Sequence, residues 1–111
     1  MKLIATAIAA FLLISSSATL SAQATPAAGQ KVFEAQKCSL CHAVNGKGNV
    51  KGPLDGVGSK WKAEEIRQWL TDPAGMAKKH DATRKPPMKN FSSLPAADLD
   101  ALVAYVSSLK K

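Results

Sequence analysis

The sequence predicts an all-α domain, and three observations carry that prediction. Apolar residues recur at helical spacing in two stretches: Ile66, Trp69 and Leu70 in one, Leu99, Leu102, Val103, Val106 and Leu109 in the other. Neither a period-two run of strand type nor an internal repeat occurs anywhere. The stretches between are rich in Gly, Pro, Asn and Asp, which punctuate helices.

The chain has 111 residues and opens on a segment unlike the rest. Met1-Lys2 is followed by an apolar run from Leu3 to Ile14, then by small and polar residues ending in Ala22-Gln23-Ala24. A positive start, a short apolar stretch and an A-x-A site make a secretory signal peptide. Cleavage is expected after Ala24, with Ala22 as second choice. The apolar run is too short to span a bilayer, which takes about 20 residues. The predicted division is therefore a leader, 1–24, and one domain, 25–111, in the periplasm. Stable membrane insertion is not expected. With 46% hydrophobic and 21% charged residues, the composition is that of an ordinary globular chain. The net charge is +7, and removal of Lys2 with the leader makes it +6. Such a surface suits an acidic protein partner or an anionic membrane surface. Nucleic acid is excluded as a partner by export and by the lack of a binding motif.

Thr25-Pro26 reads as a short lead into the domain. A first helix is expected over Gly29 to Lys37. Its Gly29-x-x-x-Phe33 spacing puts a small residue and an aromatic on one side, which lets a second helix cross closely.

Next comes Cys38-Ser39-Leu40-Cys41-His42. Two thiols three positions apart, followed at once by an imidazole, make the attachment sequence of a c-type haem. Each thiol adds to one vinyl group, and His42 follows directly as the iron ligand. A redox dithiol would gain nothing from the histidine and would follow a strand. A structural zinc site needs four ligands, and the only other histidine is His80. A disulfide across two residues would close too small a loop to stabilise much. Haem uses both cysteines and gives a small chain an apolar plate to wrap, so the haem-free chain is expected to fold poorly.

Asn45 to Asn49 is a polar, turn-rich loop, continued by Gly52-Pro53-Leu54-Asp55-Gly56-Val57-Gly58. Glycines admit a backbone close to a flat cofactor. A histidine iron ligand usually donates its other ring N–H to a fixed acceptor. Pro53, with a carbonyl and no N–H, is the candidate acceptor; an ordinary surface loop is the alternative.

A second helix is expected over Lys62 to Thr71. Glu64 and Glu65 favour its N-terminal dipole, and Asp72-Pro73 stops it. Trp69 belongs to the core stripe and, in a haem protein, to the haem wall. Trp61 precedes the helix, with an indole N–H suited to a haem propionate. Ala74 to Asn90 is polar and basic, and long enough to hold a function or a short helix of its own. Within it, Pro86-Pro87 stiffen the approach to Met88. A thioether is a soft neutral ligand that binds haem iron and raises its potential. Met76, without that proline approach, and His80 are the competing distal ligands. The last helix is expected over Pro95 to Leu109 and should cross the Phe33 helix.

Taken in order, Gly29 with Phe33, Cys38-Cys41-His42, Gly52-Pro53, Trp69 before Asp72-Pro73, Pro87-Met88 and the Tyr105 helix resemble the class I c-type cytochromes. These are small soluble monohaem proteins exported by bacteria, and the resemblance covers nearly all of Ala27 to Lys111. It implies the cytochrome c fold: three to five helices around one covalently attached haem c, with the terminal helices crossing. It also implies His42 as proximal and Met88 as distal ligand, with the Pro53 carbonyl orienting His42. Family members often carry one residue between the Gly-Pro pair and the leucine, whereas Leu54 follows Pro53 directly.

The function implied is outer-sphere electron transfer, without catalysis by the protein itself. Partners would be a redox donor and acceptor with acidic docking surfaces. Lys47, Lys51, Lys78, Lys79, Lys85 and Lys89 either form a docking ring or simply keep the protein soluble. Two other roles stay open: a haem c subunit of a larger periplasmic oxidoreductase, and an open-site haem sensor or enzyme. The protein would be a monomer or a subunit of a redox complex.

Overall fold

A computed structural model describes residues 24–111. The predicted leader, apart from Ala24, lies outside the described residues. Helix α1 covers Pro26–Ala35. It starts three residues before the expected Gly29, because Thr25 and Pro26 are its start signal rather than a lead. The Thr25 hydroxyl accepts from the Ala28 N–H at 3.1 Å, and Pro26 occupies the first turn, where no N–H is needed. Lys37 adopts a left-handed conformation (φ 56°) and ends the helical path. A 3₁₀ turn, Cys38–Leu40, follows directly.

Two short strands come next: β1, Ala43–Val44, and β2, Lys47–Gly48, paired antiparallel. No strand was expected here. The cause is Asn45-Gly46, both at positive φ (51° and 77°), a pair that closes a tight hairpin. Two residues per strand are too few to show a period of two. Three more helices follow: α2, Val57–Lys60; α3, Ala63–Thr71; and α4, Pro73–Lys79. Asp72-Pro73 ends α3 as expected and also begins α4. Asp72 Oδ1 accepts from the Gly75 N–H at 3.1 Å, with Pro73 in the first turn. Residues 80–95 carry no regular element, and α5 spans Ala96–Ser107.

The fold turns on the crossing of α1 and α5. Gly29 faces α5 so closely that an added Cβ would overlap the Ala101 carbonyl and lie 2.5 Å from Tyr105 Cβ. Four residues on, the Phe33 and Tyr105 rings meet edge to face with centroids 5.3 Å apart. Helix α3 lays Ile66 and Leu70 against the same core, which holds Phe33, Phe91, Leu99, Leu102, Val103 and Val106 as well. Leu102 is its centre, 1% exposed. Leu109 lies beyond the end of α5, where its carbonyl accepts from the Gly58 N–H at 2.9 Å. None of the described helices is long and apolar enough to cross a membrane.

Candidate functional site

The 3₁₀ turn brings the two thiols together. In that geometry residues i and i+3 eclipse, so Cys38 and Cys41 stand on one side of the chain. The turn is closed by the N–H groups of Cys41 and His42, which donate to the Cys38 carbonyl at 3.1 and 2.9 Å. No disulfide joins them; Cys38 is half-buried and Cys41 exposed. Burial pushes the Cys38 thiol up to about 11.

The His42 ring is fixed from behind. Its Nδ1 lies 3.1 Å from the Gly52 carbonyl oxygen, which also accepts the Ala43 N–H at 3.1 Å. With the proton on Nδ1, the lone pair of Nε2 is left for a metal. The acceptor is therefore Gly52 and not the expected Pro53 carbonyl. Ala43 and Pro53 form a parallel bridge, in which Ala43 takes the Gly52 carbonyl and returns its own to the Leu54 N–H at 2.8 Å. Carbonyls alternate along extended chain, so the one after Gly52 faces away from the His42 segment. Burial lowers the His42 pKa; the Gly52 bond opposes this and the Arg84 charge adds to it. The ring is thus kept neutral, the form that binds a metal. A Cβ at Gly52 would strike both the Cys41 carbonyl and the Arg84 guanidinium, so only glycine fits between them.

Met88 and Cys38 pack against the same core cluster, each half-buried. The Met88 segment is held by Phe91, whose N–H donates to the Leu70 carbonyl at 2.7 Å, at the end of α3. Met76 is buried in α4 and 4% exposed. His80, expected as an exposed loop residue, stays exposed but packs its ring on two indoles. It meets Trp61 edge to face at 4.7 Å and stacks on Trp69 at 5.9 Å. Trp61 and Trp69 meet at 6.1 Å. The buried Trp69 Nε1–H finds no acceptor among the described residues. An unpaired buried donor is costly, which fits a pocket whose missing acceptor belongs to a bound group. Among the described residues no three His, Cys, Asp or Glu side chains gather to hold a metal ion. The zinc alternative therefore finds no ligand set, while a single imidazole and a thioether suit a metal already held in a ring.

Sequence reading missed three residues at this site. Gly52 was overshadowed by its neighbour Pro53. Arg84 gives no sign in sequence that it reaches across to Gly52. Asn49 looked like a turn residue, yet its N–H donates to the Ser39 and His42 carbonyls at 3.0 and 3.1 Å.

A helical shell around a thiol–thiol–imidazole turn defines a domain that carries a tethered haem. The Cytochrome c family profile matches residues 26–110, and the chain belongs to that family. Its cofactor is covalently bound haem c. The chain is also similar to "Cytochrome c oxidase subunit 2" of Alkalihalophilus pseudofirmus, at 31% identity over 91 residues. That match covers 74% of this chain and 25% of the relative, so the chain spans about a quarter of the relative's length. No solved structure gives a significant match.

Proposed function

We propose that this chain is an exported, periplasmic electron carrier with a six-coordinate haem. Cys38 and Cys41 form the two thioether links, His42 is the proximal ligand and Met88 the distal one. The observation that carries this is the Gly52 carbonyl behind His42 Nδ1, 3.1 Å away. That bond selects the tautomer and holds the ring while Nε2 serves as ligand. What the haem supplies is one-electron exchange between its ferrous and ferric states. The residues do the rest. The Met88 thioether would serve as the second protein ligand to the haem iron, leaving no site for substrate, while Trp69 and Pro53 would wall the pocket. Removal of 1–24 by signal peptidase delivers the domain to the periplasm.

The partners are redox proteins with acidic docking faces. Lys47, Lys51, Lys78, Lys79, Lys85 and Lys89 are all exposed and offer the complementary charge. A second role, as the haem subunit of a larger redox complex, is favoured by the similarity to an oxidase subunit.

The deciding experiment compares ferrous and ferric absorption spectra of the holoprotein with those of Met88→Ala. The variant should lose the methionine-to-iron band and gain carbon monoxide binding in the ferrous state. Its midpoint potential should fall on the order of a tenth of a volt, within the roughly 0.8 V that axial ligands command. An unchanged spectrum would transfer the ligand role to Met76. Carbon monoxide binding by the unmodified protein would refute the closed site.

A further inference from the structure

Arg84 belongs to the segment that carries Met88, four residues ahead of it. Its guanidinium, however, lies beside the loop that holds His42. A Cβ on Gly52 would overlap Arg84 Nη1 and the Cys41 carbonyl together, so both crowd the one point that glycine leaves free. That point adjoins the residue whose carbonyl oxygen lies 3.1 Å from His42 Nδ1.

Backbone hydrogen bonds hold both sides of this contact. The Gly52 N–H donates to the Asn49 carbonyl at 3.1 Å, and the Gly52 carbonyl accepts the Ala43 N–H at 3.1 Å. The Arg84 segment is tied at both ends: the Ala82 N–H donates to the Ala77 carbonyl at 2.8 Å and the Phe91 N–H to the Leu70 carbonyl at 2.7 Å. Among the described residues the one ion pair joins Arg67 to Asp100, so no carboxylate side chain offsets the Arg84 charge. That charge reaches the His42 ring, where it acts with burial against a proton. A charge that disfavours a proton on the ring likewise disfavours the added positive charge of a ferric iron bound at Nε2.

We infer that Arg84 is a positioning residue of the redox centre: seated against Gly52 and the Cys41 carbonyl, its guanidinium sets a fixed positive charge on the Gly52 side of His42 and so raises the midpoint potential. This role rests on the assignment of His42 as iron ligand, made above, and adds which side chain biases that ligand. It acts through His42 and touches neither Nε2 nor the iron. Because Arg84 comes from the Met88 segment, the same side chain links the segments that bear the two ligands. Arg84 is exposed, so solvent screens part of its field and the effect is a few-fold change in the redox equilibrium.

The test is potentiometric titration of the holoprotein at low salt, with mediators delivering one electron per molecule and absorbance reporting the ferrous fraction. Arg84→Gln removes the charge and Arg84→Lys keeps it. Lys31→Gln removes the same charge from an exposed position on helix α1. At a fixed applied potential the ferrous-to-ferric ratio of Arg84→Gln should fall roughly threefold, about 30 mV at 59 mV per tenfold. Arg84→Lys and Lys31→Gln should titrate with the parent protein, and the methionine-to-iron band should persist in all three variants. An equal fall in Arg84→Lys would make the effect one of shape, and an equal fall in Lys31→Gln one of net charge. A methionine band lost in Arg84→Gln would route the effect through Met88 instead of His42. Each of these outcomes overturns the role assigned to Arg84, as does an Arg84→Gln potential equal to that of a reversibly titrating parent, which leaves the carrier function standing. A parent without a reversible one-electron step would overturn the carrier function itself, and the role of Arg84 with it.

Discussion

Replacing Gly29 with alanine tests the helix crossing on which the fold depends. The added Cβ would fall 2.5 Å from Tyr105 Cβ and overlap the Ala101 carbonyl. Carbon atoms rest at about 3.5–4.0 Å, so α1 and α5 must part by roughly 1 Å or more. A gap of that size forfeits about a quarter to a half of each contact well along the interface. Neither neighbour can swing aside, since one is backbone and the other is the first atom of a helical side chain. Overpacking of this kind costs about 1–3 kcal/mol, and the rigid neighbours place Gly29 at the upper end. Alanine returns up to about 1 kcal/mol through helix propensity. The net loss is about 2 kcal/mol, which in a domain of this size lowers Tm by about 8–16 °C. Thermal melting of the holoprotein, followed by far-ultraviolet circular dichroism and by haem absorbance, measures it. Gln30→Ala, at an exposed position on the same helix, controls for propensity and should hold or raise Tm. A Gly29→Ala protein melting at or above the parent would refute the close crossing.

Leu102→Ala leaves a cavity at the most buried core position and should cost about 2–5 kcal/mol; denaturant titration of the holoprotein reads the loss. Burial raises the Tyr105 pKa above its ordinary 10.0, and the Glu34 and Asp55 charges add to the shift. The folded state therefore holds the phenol proton more tightly, a gain complete below pH 10 and lost as pH rises through the folded value. Tyr105→Phe should accordingly lose less stability than the parent between pH 9 and 11 in matched urea melts, and an identical loss in both proteins would count against the shift. Electron exchange with an acidic redox protein should slow steeply as salt rises from about 10 to 200 mM; stopped-flow rates indifferent to salt would remove the lysine ring from docking.

Local chemistry was legible where one residue's covalent nature decides the outcome. Cys38, Cys41 and His42 announce a tethered haem by identity and spacing alone, and the family match agrees. The two amphipathic stripes were legible for a related reason: periodicity is a property of the chain. Thus α3 and α5 appear where Ile66 and Leu99 foretold them. The Gly29–Phe33 pair was legible as a crossing point because only a small residue admits a second helix. Shorter signals were present but doubled in meaning. Asp72-Pro73 stops one helix and caps the next, and Thr25-Pro26 caps α1 although it reads as a loose lead.

Other features depend on segments that meet only after folding. The sequence by itself determined the cofactor, the helical class and the helices that pack, because these follow from side-chain chemistry and short-range period. Only the tertiary structure decided that Gly52, and not Pro53, holds His42, since that choice rests on which carbonyl of a bridged strand faces inward. It also decided that Arg84 closes over Gly52, and that His80 packs edge to face on Trp61 and stacks on Trp69. Each is a contact between residues distant in sequence or a carbonyl direction, and neither leaves a mark on composition or spacing.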